Sequence, residues 1–147
     1  ILRRLKFDND TIRKVTRLVK WHDDRPEGTL KSVRRAVNRI GEDLFPLYLE
    51  IQQADMLAQS LYRRNEKQAR LDSVRDAYRQ IIEKKQCVSL KTLAVTGRDL
   101  IENGYRPGKE IGEKLEKLLN LVLEDPEKNQ KEILLEIIRK DQEKNPA

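Results

Sequence analysis

The sequence predicts an all-α protein: an irregular bundle of about seven helices, arranged as two small helical subdomains. Three observations point there. Apolar residues recur at helical spacing along almost the whole chain, and no stretch alternates long enough to make a strand. Glycine and proline are scarce, 6 and 5 among 147 residues, while Leu, Ile, Glu, Lys and Arg abound. The turn-forming residues that do occur stand where helices should start or stop.

Taken in order, the opening Ile1-Leu2-Arg3-Arg4-Leu5 reads as part of an amphipathic segment. With no initiator Met before it, the chain is expected to be a piece of a longer protein. Asp8-Asn9-Asp10 ahead of Thr11 is a helix start signal. Ile12, Val15, Leu18, Val19 and His22 then form a stripe that Asp23-Asp24-Arg25-Pro26 should end. Gly28 or Thr29 can cap a helix with Leu30, Val33, Val37 and Ile40 inward and Gly41 as its stop. The following helix should run from about Glu42, with Pro46 tolerated in its first turn. Its inward stripe reads Leu44, Tyr48, Ile51, Asp55, Ala58 and Leu61. Ser60 to Lys67 looks like a break, after which Leu71, Val74, Tyr78 and Ile81/Ile82 share a side.

Cys87 to Thr96 is less regular, with Val88-Ser89-Leu90 a candidate for extended backbone. Thr96 can cap a short helix from Gly97 to Asn103-Gly104. Pro107 sits where the first turn of the next helix should begin, with Ile111, Leu115, Leu118, Leu119 and Val122 inward. Asp125-Pro126 ends it, and Ile133, Leu134, Ile137 and Ile138 line a last helix. The join near residues 86–92 is the expected boundary, giving regions 1–86 and 87–147.

Charge narrows the function. The chain carries 31 Lys+Arg against 25 Asp+Glu, a formal +6. Residues 1–50 and 51–100 each sum to +4, and residues 101–147 to −2. A basic excess confined to the first two thirds suits a polyanion, nucleic acid foremost, with a merely solvated basic surface as the alternative. No apolar run approaches the ~18 residues of a membrane span. The lone Cys87 excludes an internal disulfide framework and suits a reducing cytosol, so a cytoplasmic location is expected. A single His and a single Cys also exclude a zinc cage of those ligands within one chain.

Three cationic stripes can follow an RNA backbone. The first is Lys31, Arg34, Arg35 and Arg39, with no acidic residue between Gly28 and Gly41. Arg13, Arg17 and Lys20 make the second, Arg63, Lys67 and Arg70 the third; Arg98 and Lys109 extend the RNA-binding set. Gly108 and Lys109 open a helix whose free N–H groups could hold one phosphate, and Gly112 could admit a closely packed neighbour. His22, beside Asp23 and Asp24, invites a metal reading, but one pair supplies too few ligands, and closing the helix end suits it better. Asp55, on the apolar stripe, is expected to be a partly buried structural carboxylate paired with an Arg of a neighbouring helix. No paired carboxylates, Ser-His arrangement, Gly-rich phosphate loop or Cys87–His pair emerges. No catalytic residue, metal site or cofactor is therefore expected within these residues.

Leu90-Lys91-Thr92-Leu93-Ala94-Val95-Thr96-Gly97-Arg98-Asp99-Leu100-Ile101, then Gly104, Pro107-Gly108, Ile111-Gly112 and a Leu-rich helix ending Glu124-Asp125-Pro126, form a pattern. It resembles the C-terminal region of bacterial class II tRNA nucleotidyltransferases, the CCA-adding and poly(A) polymerase family. Ala54-Asp55-Met56-Leu57-Ala58-Gln59-Ser60 and Val33-Arg34-Arg35-Ala36 are similar to that family's middle helices. The resemblance implies a parent enzyme adding nucleotides to tRNA 3′ ends without a nucleic-acid template. In such a parent an N-terminal head holds Mg and CTP or ATP, while a helical body and tail hold the tRNA. This chain would be the body and tail, catalytically silent alone. Leu2 to Asp24 resembles the end of an HD-type domain, in which His22 could belong to a metal site completed upstream. Two other readings compete: the remainder of an HD-type metal-dependent phosphohydrolase, and a helical interaction module without an RNA role.

Overall fold

The computed structural model describes residues 1–145. Among these there are seven α-helices and no strand: α1 (Asn9–Trp21), α2 (Leu30–Ile40), α3 (Phe45–Ala58), α4 (Arg64–Glu83), α5 (Gly97–Glu102), α6 (Lys109–Glu124) and α7 (Lys131–Lys144). The chain divides into two compact units, Ile1–Lys84 and Lys85 onward. The first holds nineteen Lys+Arg and thirteen Asp+Glu, the second twelve of each, so the whole +6 belongs to the first.

Caps place the first unit's helices as their sequences dictate. The Asp8 carboxylate accepts the Thr11 N–H at 2.9 Å and starts α1, and the Thr29 hydroxyl accepts the Ser32 N–H at 3.2 Å and starts α2. Gly41 ends α2 at φ 111°, a left-handed conformation suited to glycine, and the Arg17 guanidinium lies 2.8 Å from where a Cβ would stand. Before α1, residues 2–6 form turns instead of helix, and Ile1 and Leu5 are exposed.

The core of this unit is Val33, Ala36, Val37 and Ile40 of α2, Phe45, Tyr48, Leu49 and Met56 of α3, and Leu71, Val74, Ala77 and Ile81 of α4. Phe45 anchors it, its ring centroid 5.4 Å from Tyr48 and 4.9 Å from Tyr78. The long α4 packs on both α2 and α3. Gly28 lets the start of α2 approach α4, since a Cβ there would meet the Ser73 Cβ at 2.3 Å. In contrast, α1 buries no residue fully; Ile12 and Leu18 are half-covered and Val19 is exposed.

The inward stripe of α3 differs from the sequence expectation. Phe45, Tyr48, Leu49, Gln52 and Met56 face the core, while Ile51, Asp55, Ala58 and Leu61 are exposed. Apolar side chains occur all round this helix, so periodicity alone had two faces to choose from. The aromatic pair Phe45 and Tyr48 decides which goes inward.

In the second unit Leu100 of α5, Leu118, Leu119, Val122 and Leu123 of α6, and Leu134 and Ile138 of α7 enclose a core with Cys87, Leu93, Val95 and Tyr105. A capping box starts α5: the Thr96 hydroxyl and the Asp99 carboxylate each accept from the other's backbone N–H. Lys131 lies 2.6 Å from Asp99, and with the Thr96 contacts it holds that carboxyl down to about pKa 2. Cys87 is buried, its thiol donating to the Ser89 carbonyl at 3.3 Å. Val88-Ser89-Leu90 forms no strand; a 3-10 turn follows at Leu90–Thr92.

Candidate nucleic-acid interface

Cations of the first unit gather in two open grooves. The loop between α1 and α2 shapes both, because α3 pins it from below. Tyr48 donates its hydroxyl to the Asp24 carbonyl, and Gln52 Nε2 donates to the His22 carbonyl at 2.8 Å. Burial, with the Asp24 charge adding, pushes the Tyr48 phenol up to about 12, so it remains a donor at any physiological pH.

Pinned this way, the loop sends Arg25 to one side. It joins Arg63, Lys67 and Arg70 of the α4 start around a groove of ≈ 450 Å³ whose acidic residues are Asp55 and Glu66. Glu66 is engaged by Arg63 at 2.6 Å, and Asp55 lies 3.6 Å from Arg25. Lys67 donates to the Gln59 amide oxygen at 3.1 Å. Among the described residues neither Lys67 nor Arg70 has a carboxylate at ion-pair distance. Arg63 takes the left-handed conformation, φ 52°, to turn the chain into α4, at a cost of about 1 kcal/mol for a residue with a Cβ. The positive end of the α4 dipole adds to the same potential.

On its other side the loop presents Asp24, which binds Arg39 through two guanidinium nitrogens at 2.7 and 3.2 Å. Arg39 then lies 5.8 Å from the Trp21 ring centroid, with the Lys20 ammonium at 5.0 Å. Arg3, Arg13, Arg17, Lys20 and Arg39 line this second groove of ≈ 660 Å³ together with Trp21. Arg13 pairs with Asp10 at 2.9 Å, and Asp43 lies 3.9 Å from both Arg13 and Arg17. These are exposed pairs of small net strength, which leave the arginines available to a stronger anion.

The sequence-derived set thus separates. Arg63, Lys67 and Arg70 come together, and so do Arg13, Arg17, Lys20 and Arg39. Lys31 is exposed and Arg35 half-buried on the α2 face opposite Val33 and Val37. Arg34 has to be withdrawn from the RNA-facing stripe: it is 4% exposed. Position 34 lies at the edge of the α2 arc that buries Val33, Ala36, Val37 and Ile40, and it is buried with them. Arg98 and Lys109 lie in the second unit, each one turn before a carboxylate, Glu102 at 3.3 Å and Glu113 at 3.5 Å. Gly108 is the N-cap of α6, and Pro107 precedes it instead of entering the first turn. Gly112 faces open space, so the close approach expected there is absent; Gly97 provides one, with Ile111 Cγ2 3.1 Å from its Cβ position.

Asp55 also needs correction, because its side chain is 49% exposed and its partner Arg25 comes from a loop, not a helix. It sits beside the groove instead of in the core. His22 is the C-cap of α1; its Nδ1 lies 2.6 Å from the Val19 carbonyl and its Nε2 3.1 Å from Asp23. Among the described residues no three His, Cys, Asp or Glu side chains group to hold a metal. Three groove residues, Arg3, Arg25 and Trp21, lie outside the sequence-derived RNA-binding set. Arg3 reads only as part of the opening amphipathic segment and Arg25 only as part of a helix stop. Trp21 follows directly on the Arg13-Arg17-Lys20 stripe, which is the signal that could find it.

A family model, tRNA nucleotidyltransferase domain 2, matches residues 1–138. The chain belongs to the tRNA nucleotidyltransferase domain 2 family. Searches of curated proteins and of solved structures gave no match. The tRNA nucleotidyltransferase domain 2 match takes in both grooves and the α6 start. No helix among the described residues is long and apolar enough to cross a membrane.

Proposed function

We propose that this chain is the tRNA-holding body and tail of a bacterial class II tRNA nucleotidyltransferase. In this reading it positions the tRNA 3′ end, while a catalytic head outside these residues adds CCA, or part of it, from CTP and ATP with Mg. Family membership supports the enzyme class. The observation that carries the RNA-holding role is the partition of charge: all of the +6 lies in residues 1–84, where seven cations of the three sequence stripes line two open grooves. A polyanion gains from such a surface by releasing its own counterions. The long, regularly charged backbone of tRNA can occupy more than one groove at once.

The test is binding of tRNA to the chain and to a Lys67→Ala/Arg70→Ala variant. Binding by the chain and at least severalfold weaker binding by the variant are expected. In the parent enzyme the same variant should raise KM for tRNA and leave KM for CTP and ATP unchanged. A chain that does not bind tRNA at low salt overturns the proposal.

A further inference from the structure

We propose that the α1–α2 groove seats one unpaired nucleotide of RNA, its base stacked on Trp21 and its phosphates held by Arg13, Arg17 and Lys20. This rests on the reading that the chain binds RNA, and goes beyond it by naming what this groove reads. Helical spacing puts Arg13, Arg17 and Lys20 along one side of α1, and Trp21 closes the same groove at the helix end. A flat aromatic face at the end of a cation row matches a base joined to its phosphate chain through a single sugar. A phosphate track alone would need no indole, and the Asp and Glu side chains of an acidic peptide bring no ring to lay on it.

The ring already has cations as neighbours. The Lys20 ammonium, on an exposed flexible stem, stands 5.0 Å from its centroid, and the Arg39 guanidinium 5.8 Å away. Arg39 is anchored by Asp24, whereas Lys20 has no carboxylate at ion-pair distance among the described residues. A base arriving at Trp21 competes for the ring with Lys20, the less anchored of the two cations. The freed ammonium turns to the phosphate of that same nucleotide. The interior bases of duplex RNA cannot do this, because both of their faces are already stacked on neighbouring pairs. The groove thus distinguishes unpaired from paired RNA, while the Arg25–Arg70 groove takes any phosphate backbone.

Trp21 is the chain's single tryptophan, so its intrinsic fluorescence reports this groove alone. The unmodified chain is titrated with single-stranded oligoadenylate, with a blunt RNA duplex and with poly-glutamate, with binding followed independently by anisotropy. Quenching by oligoadenylate, and none by the duplex at equal occupancy, is expected. Trp21→Leu should weaken oligoadenylate binding about tenfold, and Trp21→Phe should restore most of it. Oligoadenylate that binds without quenching, a duplex that quenches equally, or quenching by poly-glutamate alone overturns the proposal while leaving tRNA binding as a separate result. Failure of every RNA, tRNA included, to bind overturns the RNA-holding reading as well. The quenching contrast uses the unmodified chain and stands even where the Leu variant does not fold.

Discussion

Gly28→Ala tests the packing that carries the first unit's cationic surface. The new Cβ would lie 2.3 Å from Ser73 Cβ and 3.4 Å from Ser73 Cα. Carbon atoms rest about 3.5–4.0 Å apart, so the start of α2 and the middle of α4 must separate by roughly an ångström. Both helices bury side chains at this contact, and overpacking of that kind costs about 1–3 kcal/mol. Against it stands the reduced freedom of the unfolded chain, which favours Ala by about 0.4–1 kcal/mol where the backbone is compatible. Gly28 is outside the left-handed region, so that term applies and the two effects have opposite signs. Overpacking wins, with a net loss of about 1–2 kcal/mol. For a unit of this size that lowers Tm by on the order of 5–15 °C. Thermal melts by circular dichroism read it directly, and urea midpoints at constant slope confirm it. Adding Ser73→Gly removes the opposing Cβ, so the double-mutant cycle should show a favourable coupling of about 1 kcal/mol. A Gly28→Ala chain that melts at or above the unsubstituted temperature would refute the α2–α4 approach.

Two further substitutions probe charge. Asp55→Asn should change stability by less than ~1 kcal/mol, because its pair with Arg25 is solvent-exposed. It should also strengthen tRNA binding two- to threefold at low salt, a gain that vanishes at high salt in anisotropy titrations; a stability loss of about 3–5 kcal/mol would mean that the carboxylate is buried after all. Asp99 has its carboxyl held down to about 2 from 3.8, chiefly by the Lys131 bond. A depressed pKa stabilises the fold fully above the unfolded value, and the contribution fades as pH falls through the folded one. Melts between about pH 4 and pH 2 should show this acid-dependent loss in the unsubstituted chain and a smaller one in Asp99→Asn.

Much of the fold could be read from local chemistry. Asp8, Thr29, Gly41, Thr96 and Gly104 mark helix ends because caps act within a few residues, and the stripe of α2 is unambiguous because only one face of it is apolar. Longer-range features were not readable in this way. The inward face of α3 depends on which aromatic ring meets Tyr78, and the burial of Arg34 on what packs round α2. Gly28 matters only through Ser73, 45 positions away. At the candidate interface the cations were evident, yet their grouping was not. Arg25 joins Lys67 and Arg70 only because Tyr48 and Gln52 hold its loop on α3. Arg39, counted with Lys31 and Arg35, turns instead toward Trp21 through Asp24. Helical spacing reports a face of one helix, whereas a groove is made by two.

The salt dependence of tRNA affinity tests the central claim most directly. If the positive surface of residues 1–84 grips tRNA phosphates, log K falls linearly with log[salt], and each lost contact lowers the slope by roughly 0.7–0.9. Lys67→Ala/Arg70→Ala should therefore flatten the slope by about 1–2, with the variant's fold unchanged. A slope identical in the two proteins, or an affinity indifferent to salt, would contradict the account.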